Sequence, residues 1–393
     1  MNFRKFALAV FTAIVCSTSL TGCGKAAEEG LSPIAKIGEK AFVEPLLSAS
    51  GRQSCSSCHA PETGHAAANA LAVQLGGANL DQSGLRNSQS LRYLVKNTAF
   101  YFDADGTPTG GFFWDGRADT LALQAAGPLL GAREMANPDK ASVVARIART
   151  SWANEFRAAF GKNILEDVDQ AFDKLTLALA QYQIEDAAFN AYTSKYDAYL
   201  RNETGLSVQE ARGLALFNDP NKGNCASCHT SAKGSDGAHP LFTDYTYDNL
   251  GLPRNMEIPA NLDANYFDLG LCGRADLNAR FDLCGAFKVP SLRNVALRKT
   301  YFHNSAFKSL KDAVTFYVQR DTNPEKWYPL NSDGTVNKFN DLLIAQRGNV
   351  NTTEAPYNRL IGDVPALSDA EVDDVIVFLR TLTDGWSRAN GLQ

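Results

Sequence analysis

The pentapeptide Cys55-Ser56-Ser57-Cys58-His59 constrains this chain more than any other feature, and it returns as Cys225-Ala226-Ser227-Cys228-His229. Cys-x-x-Cys-His is the attachment signature of a c-type haem, in which two thioether bonds fix the porphyrin and the adjacent histidine ligates the iron. Two other readings of such pairs exist: together they could form a four-thiolate zinc site, or each could be a redox disulfide. Zinc, however, does not require a histidine straight after the second cysteine in both copies. Two covalently bound c-type haems are therefore predicted, one held by Cys55, Cys58 and His59, the other by Cys225, Cys228 and His229.

The first residues set the compartment. Arg4 and Lys5 precede an apolar run from Phe6 to Val15, and Leu20-Thr21-Gly22-Cys23 follows. A basic start, a short apolar stretch and small residues read as an export signal over 1–22, too short to span a bilayer. The last four residues resemble a bacterial lipobox, cleavage of which leaves Cys23 as the lipidated first residue; the alternative is an ordinary signal with an incidental cysteine. Several acyl chains hold a protein on a membrane where one does not. The chain is thus expected to be a periplasmic bacterial lipoprotein that meets the membrane only through its anchor, with a short polar linker over 23–30. Lys and Arg number 38 against 43 Asp and Glu, and cleavage would remove Arg4 and Lys5, so nucleic acid is not the expected partner. Of the eight cysteines, Cys16 lies in the signal, Cys23 is the lipid site and four hold haem. Cys272 and Cys284 remain, and an oxidising compartment would join them as a disulfide if they come within bonding distance.

At 393 residues the chain has room for two domains, and an internal repeat says where they lie. Leu31-Ser32 opens a helical pattern containing Gly38 and Phe42; Leu206-Ser207 opens another with Gly213 and Phe217 at the same offsets. Each pattern leads into a haem motif, so the repeated unit is a helix followed by Cys-x-x-Cys-His. A closing helix is expected in each unit. Over Asp167 to Tyr182 it carries Val168, Phe172, Leu175, Leu179 and Tyr182 on one face. In the second unit Ser368-Asp369-Ala370-Glu371 is a capping box before Val372, Val375, Ile376 and Leu379. The expected fold is mostly α, two cytochrome c-like domains over 31–200 and 205–393. Asp103 to Gly111 and Thr322 to Asn337, dense in Gly, Pro, Asn and Asp, read as turns, and long loops of this kind usually build a site.

One further set of residues carries chemistry. Phe113-Trp114-Asp115-Gly116-Arg117-Ala118 is followed by Gln124, by Pro128-Leu129-Leu130 and by Glu134-Met135. A haem that cleaves peroxide needs an acid–base group on its open face, to take the proton from one peroxide oxygen and deliver it to the other, and Glu134 can serve. These segments, with Phe287-Lys288-Val289-Pro290-Ser291-Leu292-Arg293-Asn294-Val295 and Tyr301-Phe302-His303, resemble the bacterial dihaem cytochrome c peroxidase and MauG family over nearly the whole mature chain and in the family's order. The resemblance implies that Trp114 lies between the haems, that Glu134 is the catalytic carboxylate, and that Gln124 and Pro128 line the distal pocket of the first haem. It also implies a calcium ion between the haems, bound by Asn87 and the backbone carbonyls of Arg298 and Thr300; Asn87 could instead be a turn residue.

Two departures from the family's pattern place the chain within it. Members that need reductive activation carry a histidine on a mobile loop that blocks the first haem. Between Ala60 and Arg86 the chain offers only His65, six residues past the proximal ligand and read as a loop residue, so the first haem is expected to be open to peroxide. At the second haem the peroxidases place a methionine fourteen residues after the Tyr-Phe-His histidine, where this chain has Tyr317, as MauG has a tyrosine. A phenolate favours ferric and higher iron, a thioether ferrous iron; the alternative makes Tyr317 a core aromatic beside Leu310 and Val314. Met135 and Met256 lack the spacing to replace it. His239 reads as a solvated loop residue, His303 as packing or a propionate contact, and Trp327 as loop packing or a relay to the surface. The resemblance thus implies a dihaem peroxidase that reacts with hydrogen peroxide at the first haem. Oxidising equivalents would pass by way of Trp114 and the Tyr-ligated second haem to a periplasmic protein substrate or small redox protein. A plain peroxide-detoxifying cytochrome c peroxidase and a non-catalytic dihaem electron carrier are the rival readings.

Overall fold

Several helices begin at serines whose side chains cap them. In the computed structural model, which describes residues 30–389, helix α1 (Pro33–Phe42) starts at Ser32, whose Oγ accepts from Ala35 N while its own N–H and hydroxyl donate to the Glu185 carboxylate at 2.7 and 2.8 Å. The export signal over 1–22 and the lipid site Cys23 lie outside the described residues. The remaining α-helices are α2 (Cys55–Cys58), α3 (Leu121–Leu130), α4 (Lys140–Ile147), α5 (Ala153–Phe160), α6 (Val168–Glu185), α7 (Lys195–Leu200), α8 (Val208–Asn218), α9 (Leu310–Gln319) and α10 (Asp369–Arg380). Helix α8 starts from a capping box of Ser207 and Glu210, and α10 from the box of Ser368 and Glu371. Among the described residues strand is confined to three antiparallel pairs of two residues each: Leu75–Gly76 with Gln82–Ser83, Tyr101–Phe102 with Pro108–Thr109, and Tyr247–Asp248 with Phe287–Lys288. The protein is mostly α. Among the described residues no helix is long and apolar enough to cross a membrane.

The repeat read in the sequence is a repeated helix crossing. Helix α1 crosses α6 at Gly38, where an added Cβ would sit 1.9 Å from Ala178 O and 2.8 Å from Tyr182 Cβ. Helix α8 crosses α10 at Gly213, where a Cβ would sit 2.0 Å from Asp374 O and 2.8 Å from Phe378 Cβ. Only a residue without a side chain permits backbones this close. One turn beyond each glycine a phenylalanine, Phe42 or Phe217, is driven into the core at 2% and 1% exposure. Around the first crossing Phe172, Leu175 and Leu179 of α6 meet Phe156, Ile147 and Leu129 in one apolar cluster. The second gathers Val372, Val375, Ile376 and Leu379 of α10 with Tyr196, Phe242 and Tyr301. Val168, expected on the buried stripe of α6, is 37% exposed because it sits at the first turn, beyond the reach of α1.

The loops join the two halves. Cys272 and Cys284 are bonded (S–S 2.02 Å, Cα–Cα 4.8 Å), and the segment they close is cinched by Leu271 N–H to Ala286 O and Gly285 N–H to Leu269 O, both 2.9 Å. Its Leu271 and Leu277 cluster with Phe100, Phe102 and Tyr247, and Arg274 reaches back to donate to Gly116 O at 2.9 Å. The insertion therefore braces the Phe113–Ala118 segment from outside. Overpacking a close helix contact costs typically 1–3 kcal/mol. Gly38→Ala and Gly213→Ala should each lower unfolding free energy in urea by about that much, and the double substitution by about the sum, since the sites belong to separate clusters.

Candidate haem centres

Each Cys-x-x-Cys-His motif presents its histidine in the same way. His59 bonds through Nδ1 to the carbonyl of His65 at 3.2 Å, and His229 through Nδ1 to the carbonyl of Phe242 at 2.8 Å. A donor bond from Nδ1–H fixes the tautomer and leaves Nε2 as the coordinating atom, the usual second support of a metal-bound histidine. Burial lowers the His59 pKa to about 4 and also lowers that of His229, so both rings are neutral, as a ligand must be. All four motif cysteines are free thiols. Burial raises Cys55 and Cys225 to about 12 and Cys58 and Cys228 to about 11, the reverse of a reactive redox pair. Among the described residues no group of three or more His, Cys, Asp or Glu is arranged to hold a metal ion, which removes the shared zinc site. The donor set fits two c-type haems.

His65 is more than a loop residue. It is buried at 1% exposure, its ring stacks on Phe189 at 4.0 Å, and its Nδ1 accepts from Arg92 Nε at 3.3 Å. Its carbonyl is the acceptor for His59, so it stands behind the proximal histidine. Backbone supports such as the carbonyls of His65 and Phe242 leave no side-chain signal in a sequence.

The carboxylate and its neighbours come from one helix and the turn after it. Gln124 and Pro128 are one turn apart on α3, and Glu134 N–H closes a turn on Gly131 O at 2.9 Å while Glu134 O accepts from Gly77 N–H at 2.8 Å. The Glu134 charge is felt by the thiols of Cys55 and Cys58, which sets it beside the first motif. The residue is open along one side, but the protein behind it desolvates the carboxyl and raises its pKa, against the pull of Arg117. Met135 is buried in the apolar cluster and Met256 is 55% exposed.

Trp114 is buried and donates from Nε1 to Asn87 O at 2.8 Å, and its own carbonyl accepts from Lys288 N–H at 2.9 Å. It stands edge-on to His303, which stacks on Phe287 at 3.4 Å. The next motif residue, Asp115, shares Arg86 with Asp268: Arg86 donates to Asp115 at 2.6 Å and to both Asp268 oxygens at 2.6 and 2.7 Å. Arg86 and Asp268 are 182 positions apart, too far for pattern reading to pair them. One continuous cavity is lined by Gln124 and Trp114 and also by Cys225, Cys228, His229, Tyr317 and Tyr357. Tyr317 is half-buried on α9. Burial raises its pKa, as do the charges of Asp248, Cys225 and Cys228; its phenol therefore lies near the second cysteine pair, where only a cation would favour ionisation.

The calcium site does not fit. Asn87 Oδ1, Thr300 O and Arg298 O each accept a hydrogen bond from this chain's own donors, two of them from the Arg298 guanidinium. His239 is half-buried, its Nδ1 2.7 Å from an Asp197 oxygen, rather than solvated. Trp327 packs edge-on against Phe307 and Phe316.

A family profile described as di-haem cytochrome c peroxidase matches residues 32–205. Methylamine utilization protein MauG of Paracoccus denitrificans is 35% identical over 377 residues, covering 92% of each chain. This chain belongs to the dihaem cytochrome c peroxidase and MauG family. Cytochrome c551 peroxidase of Pseudomonas aeruginosa is 30% identical, with 71% of this chain and 70% of that protein covered. The crystal structure of the dihaem peroxidase BthA from Burkholderia thailandensis superposes with a TM-score of 0.83 at 40% identity, covering 90% of this chain and 87% of the other. The family implies two c-type haems and makes the chain a haem peroxidase of the oxidoreductase class.

The raised pKa of Glu134 means that the folded protein holds this proton more tightly than the unfolded chain. Its contribution is present below the ordinary carboxylate pKa and lost as pH rises through the folded value. Unfolding free energies measured from pH 4 to pH 8 should show wild type losing stability relative to Glu134→Gln across that window, and a flat difference would place the carboxyl in open water.

Proposed function

We propose that the protein is a MauG-like dihaem peroxidase of the bacterial periplasm, tethered through lipidated Cys23, that uses hydrogen peroxide to oxidise a protein or small redox partner. Its halves over 31–200 and 205–393 each carry one haem, on Cys55, Cys58 and His59 and on Cys225, Cys228 and His229. The observation that carries this reading is the contrast between the open faces. Near the first motif stands Glu134, whose charge reaches the thiols of Cys55 and Cys58; at the second, Tyr317 shares with the cysteine pair and His229 a cavity that Gln124 and Trp114 also line. A bound haem iron supplies the centre that draws oxidising equivalents from peroxide. Glu134, whose pKa desolvation raises, takes the proton from one peroxide oxygen as a carboxylate and returns it to the other as the acid. Gln124 and Pro128, on one face of α3, shape the pocket. Trp114, held by Asn87 and Lys288, is the aromatic bridge for electrons. Tyr317 would hold the second haem as an anionic ligand, which would disfavour its ferrous form and suit oxidation of a partner over simple scavenging.

In the untreated ferric protein, electron paramagnetic resonance should show one high-spin haem, and peroxide should react without prior reduction; two low-spin haems with activity only after reduction would place the chain in the other branch. Glu134→Gln should retain both haems and slow the peroxide reaction by roughly 10²–10⁴-fold, the usual contribution of a positioned acid–base group. Tyr317→Met should raise the potential of the second haem. An unchanged potential would make Tyr317 a packing residue and leave a plain cytochrome c peroxidase.

A further inference from the structure

Asn87 is one of the residues that tie the loop from Arg86 to Ser88 to the segment around Thr300, and every polar group it has is used. Its N–H donates to His303 O at 2.7 Å, its carbonyl receives Trp114 Nε1, and its amide nitrogen donates to Thr300 O and Phe302 O at 3.3 and 3.1 Å. The remaining atom, Oδ1, accepts from Arg298 Nη2 at 3.0 Å; the same guanidinium donates to Ser88 O at 2.9 Å and, from Nε, lies 3.4 Å from Thr300 O. Arg298 O is taken by the Tyr301 hydroxyl at 3.0 Å.

A calcium ion requires six to eight oxygens closing around it at 2.3–2.6 Å, usually with carboxylates among them. Here the oxygens converge on a guanidinium, and no carboxylate pairs with Arg298 among the ion pairs of the described residues. A guanidinium offers five donors in a fixed planar fork, which suits three oxygens from two loops. A second cation beside it would meet like charge in a poorly solvated site.

We propose that the Arg298 guanidinium is the resident cation of this junction, standing where the family's calcium would bind, and that through Asn87 it positions Trp114. A tethered cation cross-links the Asn87–Ser88 loop to the segment from Arg298 to Thr300 without a dissociable ion. Burial lowers the Arg298 pKa only to about 10, so the charge is present at neutral pH.

The test uses the dihaem holoprotein. Metal analysis of wild type dialysed against calcium chloride and then against buffer should find no stoichiometric calcium, and neither EGTA nor added calcium should shift its Tm or the resonance lines of the two haems. Arg298→Ala should lower the Tm by several degrees and perturb those lines, and Arg298→Lys, which keeps charge but not the fork, should restore them only in part. One equivalent of calcium retained by wild type, or a Tm that falls on EGTA treatment, overturns the proposal whether or not Arg298→Ala folds. So do unaltered haem lines in a folded Arg298→Ala protein, which would end the link to Trp114. Calcium content reads this junction alone and stands apart from the ligand assigned to Tyr317.

Discussion

The architecture depends on two places where helix backbones touch. At Gly38 and Gly213 one helix lies so close to its partner that no side chain fits between them, and the crossing angle and register of each half follow. The phenylalanine one turn on is then directed inward, and the chain leaves the helix toward its Cys-x-x-Cys-His motif. Apolar burial supplies most of the free energy, but it is non-directional. The glycine contacts turn a collapsed helix pair into one of fixed register.

The two motifs share a support. Each histidine is held by a backbone carbonyl contributed by the loop that follows its motif, so the loops determine ring orientation as much as the motifs do. Glu134 follows α3, its charge reaching Cys55 and Cys58, and Tyr317 sits on α9 in the cavity that Cys225, Cys228 and His229 line. Between them the chain builds a polar junction rather than an apolar one. Arg86, Asp115 and Asp268 form one network there, and Asn87, Arg298 and Trp114 another. Buried charges left unpaired are costly. The sharing of Arg86 between two carboxylates, and the carbonyl cradle around Arg298, satisfy them.

Much of this was legible in the sequence because it is local or periodic. The haem motifs, the serine caps at Ser32, Ser207 and Ser368, the stripes of α6 and α10 and the twin glycines are all read within a few turns of helix. The long-range partners were not. Nothing near His65 announces that its carbonyl orients His59 or that its ring is stacked and buried, and nothing near Arg298 announces that its side chain fills a site whose backbone atoms were the expected ligands. That second case has a general cause. A carbonyl site can be inferred without regard to side-chain identity only if no side chain in it competes for the same oxygens, and arginine does.

The twin crossings also bear on how such a molecule diversifies. Each glycine contact is confined to its own helix pair and apolar cluster, so the packing at either crossing is set locally, even though polar contacts such as Arg86 to Asp268 and Asn87 to Thr300 run between the two. A duplicated unit of this kind resembles two workbenches cut to one pattern. The groups on the open face of either can be exchanged, a carboxylate here or a phenol there, while the bench beneath holds its shape.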